Sequence, residues 1–207
     1  MQIEETIKHV FDPYINIPSE EWNLFTKFGD VIVTKKNETL KVASSTEKHL
    51  YFILQGSGGV LLWNNNKFVC TDLCYEGELF GDFMSFFLQK PSLLEVVTFE
   101  STELFRISKE NFNKLIQNAE YGGKFCRFTL EALFVQKQRQ QIEMITKTAT
   151  DRYFELLTKK PDIINRTPQK YIASYLGIST QSLSRIRKKM VVNYSCPDKN
   201  YNSIVAA

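Results

Sequence analysis

The sequence predicts an α+β protein in which an N-terminal antiparallel β jelly roll is followed by a long helix and a C-terminal group of helices. Three observations lead to this prediction. Short runs rich in Val, Ile, Phe and Tyr alternate with Gly or Asn turns in the first half of the chain. A proline-free segment then carries apolar residues at helical spacing. Beyond it lie two short helices with recognisable start and stop signals.

Composition limits the class of protein. Of the 207 residues, 43% are hydrophobic and 13% aromatic, which is enough for a packed core. No apolar run reaches the roughly 18 residues of a membrane span, and the charged N-terminus does not resemble a signal peptide. The four scattered cysteines form no C-x-x-C pair, and the two histidines lie far apart. We therefore expect a cytoplasmic protein with reduced thiols that is not an enzyme, contacts no membrane and holds no metal or other cofactor.

Charge is unevenly distributed along the chain. The range 166–190 contains six basic residues and no acid, whereas the range 76–103 contains six acids and one lysine. The C-terminal range is therefore suited to a polyanion, and the acidic range is not.

The N-terminal section, 1–117, is expected to form the jelly roll. Ser19 is predicted to cap a helix that Gly29 closes, and Ser108 to cap a helix after the last strand. The asparagines at 64–66 suit a tight hairpin. The predicted strands are 31–35, 50–56, 59–63, 67–75, 94–99 and 102–107.

The middle section, 118–145, is predicted to be one long helix that joins the two ends of the chain. Its apolar residues follow 3/4 spacing, with Phe134 and Ile145 beside the stripe. We predict that this stripe forms a homodimer contact, as in a coiled coil; the alternative is that it packs only on its own barrel. The predicted dimerisation residues are Phe125, Phe128, Ala132, Val135 and Ile142.

The C-terminal section, 146–207, contains the pattern of a helix-turn-helix over 167–190. Thr167 and Pro168 form a helix start, Gly177 permits the sharp turn, and Ser179 caps the second helix. The inward positions are Ile172, Ala173, Leu176, Ile178, Leu183, Ile186 and Met190. A helix pair of this kind places its second helix in the major groove of DNA.

The outer face of that second helix has no acid and is predicted to bind DNA. Arg185 is suited to guanine, Gln181 to adenine, and Lys188 and Lys189 to phosphates. The complete predicted DNA-binding set is Ser179, Thr180, Gln181, Ser184, Arg185, Lys188 and Lys189. The alternative is a solvated basic helix on an ordinary helical hairpin.

The order of barrel, long helix and helix-turn-helix resembles the Crp/Fnr (catabolite-activator and fumarate-nitrate-regulator) family of bacterial transcription factors over roughly residues 5–190. The stretch YFILQGSGGVLLW (51–63) is similar to that family's strand–glycine–strand signature, and GELFGDFMSFF (77–87) to its phosphate-binding cassette. The resemblance implies a cyclic-nucleotide-binding-like barrel and a homodimer. It also implies sequence-specific binding of double-stranded DNA at a palindromic operator, with RNA polymerase as a partner if the protein is an activator.

The cassette departs from the cyclic-nucleotide binders of that family. Gly81 and Asp82 match the Gly-Glu pair, but the places of the phosphate-binding arginine and hydroxyl residue fall on Ser92 and Leu93. Without a cationic fork, cyclic AMP is not the expected ligand. An apolar or uncharged effector, if one exists, is predicted beside the cassette; the alternative is that its aromatic residues simply fill the core. The predicted effector pocket comprises Gly81, Asp82, Phe83, Met84, Ser92 and Leu93.

Competing interpretations remain for the rest of the chain. Cys70 and Cys74 are interpreted as structural, with a thiol switch as the alternative. The tail accommodates a short strand at 191–194 but no full wing. A second candidate function is a small-molecule sensor whose C-terminal domain contacts protein rather than DNA. A cupin-type metalloenzyme is disfavoured because His49 is the only histidine in the barrel section.

Overall fold

Two antiparallel four-stranded sheets form a sandwich in the N-terminal half of the computed structural model, which describes residues 3–12, 16–65, 67–118 and 120–194. The strand orders are β1-β8-β3-β6 and β2-β7-β4-β5, and every strand pairing is antiparallel. The predicted α+β fold with an antiparallel barrel is confirmed. The strands are β1 Gly29–Thr34, β2 Thr39–Lys41, β3 His49–Gln55, β4 Gly58–Asn64, β5 Lys67–Cys74, β6 Leu79–Phe80, β7 Leu94–Thr98 and β8 Thr102–Ser108.

Helices flank the sandwich and make up the C-terminal part of the described chain. None of them combines the length and apolarity needed to cross a bilayer. The helices are α1 Ile3–Phe11, α2 Ser19–Lys27, α3 Phe83–Leu88, α4 Lys109–Asn118, α5 Gly122–Thr146, α6 Ala149–Lys159, α7 Ile163–Arg166, α8 Gln169–Tyr175 and α9 Thr180–Tyr194.

The β3–β4 connection shows why this part of the barrel needs glycine. Gly56 has a φ of +108°, which a residue with a side chain rarely adopts. At Gly58 a Cβ atom would lie 2.4 Å from the Phe80 ring, so the strand must pass this aromatic without a side chain. Ile53, Phe80 and Leu104 are fully buried in the sandwich interior beneath this crossing.

A second aromatic cluster attaches the long helix α5 to the barrel. The Phe125 ring lies 4.8 Å from Phe11, 5.8 Å from Trp22 and 4.8 Å from Phe25, measured between ring centroids. Trp22 is fully buried. The first turns of α5 are therefore fixed on α1 and α2 by edge-to-face aromatic packing, a geometry that stabilises beyond simple burial.

Two predicted helix boundaries are wrong. Ser19 is the first residue of α2 and makes no capping bond, because Pro18 occupies the cap position. Gly29 begins β1 instead of closing α2; a Cβ there would lie 2.3 Å from the Phe105 ring of the paired strand. The predicted cap at Ser108 is confirmed, since its Oγ accepts from the Asn111 N–H at 3.2 Å.

The pattern also missed short elements. β2 and β6 contain three and two residues, too few to show alternation. The strand considered at 191–194 is wrong, because α9 continues to Tyr194. The predicted inward Met190 side chain, Cys196 and the remainder of the tail lie outside the side chains that the structure describes.

Candidate functional site

The helices α8 and α9 are joined by a tight turn. Gly177 has a φ of +69°, and the Ser179 Oγ accepts from the Ser182 N–H at 3.1 Å to cap α9. Beneath the turn, Leu176 and Leu183 are buried to 1% and 0% exposure. The turn glycine, the cap and the buried inward residues therefore have the roles predicted from the sequence, and together they fix the angle between the two helices. These buried residues are Ile172, Ala173, Leu176 and Leu183, while Ile178 and Ile186 are partly buried.

The outer face of α9 projects five exposed polar side chains. These are Gln181, Ser184, Arg185, Lys188 and Lys189. Thr180, at the tip of the helix, is exposed as well, whereas the Ser179 hydroxyl is engaged in the cap. Within the described residues, the three cations of this face make no salt bridge, so their charge is available to a polyanion.

Arg166, which the sequence grouped with these cations, is neutralised inside the chain. Its Nη1 donates to Glu76 at 3.1 Å and to Asp162 at 2.9 Å, and its Nε donates to Glu100 at 3.0 Å. These hydrogen bonds raise the pKa of Arg166, although burial acts against them. The acidic range therefore contacts the basic range directly, and Arg166 is not among the cations that remain free for a polyanion.

The inner side of α8 packs on the barrel at strand β5. Ser174 Oγ accepts from the backbone N–H of Cys70 at 2.9 Å, so α8 covers the open edge of the sheet. Tyr171 stacks on Phe99 with ring centroids 4.6 Å apart. Thr167, predicted to cap α8, instead shares a 2.6 Å hydrogen bond with the Tyr75 hydroxyl, and no side chain caps that helix.

The cassette contains a closed ionic cluster. Asp82 is fully buried, caps α3 by accepting from the Ser85 N–H at 3.0 Å, and lies 3.1 Å from the Lys41 Nζ. Lys41 comes from β2, and its side chain is only 2% exposed. Its ammonium group also donates to Ser92 Oγ at 3.1 Å and to the Leu94 carbonyl at 2.6 Å.

All three donors of the Lys41 ammonium therefore have partners, and Ser92 donates in turn to Asp82. Sequence reasoning missed Lys41 because it lies in a three-residue strand far from the cassette in the chain. An incoming phosphate would meet an aspartate that is already neutralised and a lysine that is already saturated.

The six residues of the predicted effector pocket do not surround one cavity. Asp82 and Ser92 belong to the closed cluster, while Met84 and Leu93 point to solvent with 59% and 57% exposure. Gly81 and Phe83 alone line the large cleft that lies nearby.

This cleft has a volume of about 720 Å³ and lies between the barrel, α5 and α6. Asp72 and Leu79 belong to its barrel wall and Lys137 to the α5 wall, while Lys160 lies directly after the end of α6. Lys137 forms an ion pair with Asp72 across it, and Lys160 lies 3.2 Å from Glu78. Burial raises the pKa of both carboxyl groups, while their lysine partners oppose that rise.

The predicted dimerisation stripe of α5 is divided between two environments. Phe125 and Phe128 pack against the core of their own chain, which leaves them little surface for a partner. Ala132, Val135 and Ile142 are exposed. Further apolar residues of α5 are also exposed, with values of 41% for Leu130, 65% for Phe134, 57% for Met144 and 78% for Ile145.

The cysteines and the possible metal ligands offer no reactive site in the described chain. Cys70 and Cys74 are buried free thiols, and burial raises the pKa of each, so neither is a ready thiolate. The described residues contain no cluster of three His, Cys, Asp or Glu side chains able to hold a metal ion.

The model of the cyclic nucleotide-binding domain family matches residues 31–119, which is less than half of the chain. No curated protein matches at a significant level. The chain is similar in structure to the c-di-GMP responsive global regulator CLP of Xanthomonas campestris, with a TM-score of 0.66, 15% identity and coverage of 88% of this chain and 96% of that one.

Two other solved structures share the fold. FixK2 from Bradyrhizobium japonicum has a TM-score of 0.69 at 12% identity and covers 83% of this chain and 89% of its own. The Catabolite Activator Protein of Thermus thermophilus has a TM-score of 0.53 at 18% identity, with 92% and 90% covered. At these identities the likeness establishes the fold, including the order of barrel, long helix and C-terminal helices.

Proposed function

We propose that the protein is a sequence-specific DNA-binding transcription regulator of the Crp/Fnr type. It acts as a homodimer that reads a palindromic operator through α9. The fold that it shares with known regulators supports this proposal. The specific site on this chain carries the argument.

The observation that carries the proposal is the outer face of α9. A capped helix, set by the turn at Gly177, presents Gln181 and Arg185 in its first two turns and Lys188 and Lys189 beyond them. This is the order that base edges and flanking phosphates require of a recognition helix. Each of these side chains is exposed.

Dimerisation through α5 is the second component. The exposed residues Leu130, Phe134 and Ile145 lie on one face of α5 at helical spacing, and Val135 and Ile142 widen this apolar face. Packing this apolar surface against a second copy removes it from water and places two α9 helices on one duplex. Phe125 and Phe128 support the helix from within their own chain.

We further propose that cyclic AMP is not the effector. The Lys41–Asp82–Ser92 cluster occupies the position from which the cassette would hold a cyclic phosphate and its ribose. Breaking the Lys41–Asp82 pair would leave a buried charge without its partner, which costs about 3–5 kcal/mol.

Selection of bound duplexes from a random DNA pool tests the proposal. We expect an enriched palindrome with half-site centres about one helical turn apart. Affinity for it should fall steeply as salt rises, and Arg185→Ala should weaken it by about 1–3 kcal/mol. Arg127→Ala is the matched control, since Arg127 is exposed on α5 and pairs with Glu131.

Failure to enrich any sequence, or equal affinity for Arg185→Ala and the wild type, would contradict DNA reading by α9. A chain that retains no DNA at low salt and yet shows a ligand-induced rise in melting temperature would instead support the protein-contacting sensor.

A further inference from the structure

Among the described residues, the cleft between the barrel, α5 and α6 is lined by basic side chains that have no acidic partner, which the phosphate-binding cassette lacks. Its walls include five acids, and all five are paired within the chain. Asp72 pairs with Lys137 and Glu78 with Lys160. Glu131 pairs with Arg127, and Glu143 and Glu155 share Lys147. These pairs set four cations against five acids and so keep one net negative charge, which the further cations of the cleft walls outweigh.

Three cations of the cleft walls have no acidic partner among the described residues: Arg139, Arg152 and Lys159. Arg152 is the most informative of them. Its Nη2 donates to the Leu176 carbonyl at 2.7 Å, but its buried Nε–H has no acceptor. A buried donor left unpaired destabilises the fold, and an acceptor that binds there removes this cost.

The same cleft offers apolar surface for the body of a ligand. Leu79 and Phe83 line the barrel side, and Leu156 lines the α6 side. Thr129 Oγ1, on the α5 side, is a second buried polar atom without a partner. The volume of about 720 Å³ lies within the range of known small-molecule sites.

From this geometry we propose that the cleft binds an organic anion with an apolar body. The anionic group, a carboxylate or a phosphate, lies against Arg152 and Lys159, and the body packs on the apolar walls. The site is separate from the Lys41–Asp82–Ser92 cluster. It uses side chains of the barrel, α5 and α6 at once.

Arg152 connects the cleft structurally with the start of α9. The carbonyl that Arg152 holds belongs to Leu176, next to Gly177 in the turn that sets the start of α9. An anion that moves the Arg152 guanidinium group toward the cleft changes its hydrogen bond to the Leu176 carbonyl, and this hydrogen bond stabilises the turn. Regulation of DNA affinity by the ligand rests on the proposed function; binding of the ligand does not.

Calorimetric titration of the full chain without DNA tests the binding step. The probes are sodium decanoate and cyclic di-GMP, which separate a carboxylate on an alkyl chain from phosphates on a nucleoside. We expect at least one probe to bind one site per chain with a Kd below about 1 mM. Arg152→Met should weaken it about tenfold or more and Lys159→Gln about threefold. The control Lys114→Met should not change it, since Lys114 pairs with Glu110 on α4 and neither residue lines the cleft.

The outcomes are distinct. Binding of any probe with this order of variants supports the inference, and the probe that binds identifies the class of anion. No binding of any probe at about 1 mM, or equal binding by wild type and Lys159→Gln, overturns it. Lys159 is exposed, so that variant decides the matter if Arg152→Met does not fold. A chain that binds a probe but never DNA contradicts the proposed function alone, and the reverse contradicts this inference alone.

Discussion

Replacing Arg166 by methionine removes a cation that pairs the C-terminal helices with carboxylates of the barrel. The side chain is 23% exposed and contacts two barrel carboxylates, Glu76 and Glu100. A charge-assisted hydrogen bond contributes about 1.5–3 kcal/mol when it is protected, and an exposed ion pair about 0.2–1 kcal/mol. Because the cluster is partly exposed, we take about 1 kcal/mol for each barrel carboxylate. The free energy of unfolding should therefore fall by about 2 kcal/mol.

Urea unfolding of Arg166→Met, Glu76→Gln and the double variant measures this value as a coupling energy. We expect about 1 kcal/mol of coupling between Arg166 and Glu76, with Arg166→Lys intermediate because an ammonium group cannot fork onto two carboxylates. Lys114→Met is the control, since Lys114 pairs with Glu110 on the surface of a single helix. A coupling energy indistinguishable from zero would refute the argument that this cluster fastens the two parts of the chain.

Three further perturbations test other parts of the structure. Lys41→Met should lower the free energy of unfolding by about 3–5 kcal/mol because it leaves a buried aspartate unpaired, whereas the exposed Lys48→Met should leave it unchanged in the same urea assay. Burial raises the pKa of Glu47, so the folded chain keeps a proton that the unfolded chain releases above its ordinary pKa of 4.5. The stabilisation that Glu47 contributes should thus decline as pH rises from 4.5 through the raised pKa of the folded chain. The free energy of unfolding of Glu47→Ala, measured against pH, should lack this decline. A pH dependence identical to that of the wild type would contradict the argument. Phe134→Glu should convert a dimer to a monomer in analytical ultracentrifugation, while Val33→Glu, at a similarly exposed apolar residue of β1, should not; a dimer that persists in Phe134→Glu would exclude the apolar face of α5 as the dimer contact.

Local patterns predicted much of the fold. The strands β1, β3, β4, β5, β7 and β8 follow from β-branched and aromatic runs between turns, and the bounds are correct to within about two residues. The turn at Gly177 and the cap at Ser179 follow from backbone and hydrogen-bonding rules that act over a few residues. These interactions join residues that are close together in the sequence, so the sequence predicts them directly.

Predictions failed where the hydrogen-bond partner of a residue lies far away in the sequence. Thr167 has the chemistry of a helix cap, but the Tyr75 hydroxyl, 92 positions away, takes its hydrogen bond. The run at 136–141 is polar throughout and gives no sign of a contact with the barrel, yet Gln140 donates to the Thr71 carbonyl at 2.8 Å and attaches α5 to the sheet edge. No spacing in the sequence indicates either contact.

Local sequence patterns predicted six of the eight described strands, the long helix α5 and the acid-free row of polar and basic side chains on α9. The folded arrangement decides which charges remain free to bind a partner. It joined Arg166 to Glu76 and Lys41 to Asp82, and it left Arg152 and Lys159 facing a cleft with no acidic partner among the described residues. The reason is physical: helix and strand periodicity follow from bonds between near neighbours, whereas the strength of a charge depends on burial and on partners that only the folded chain brings together.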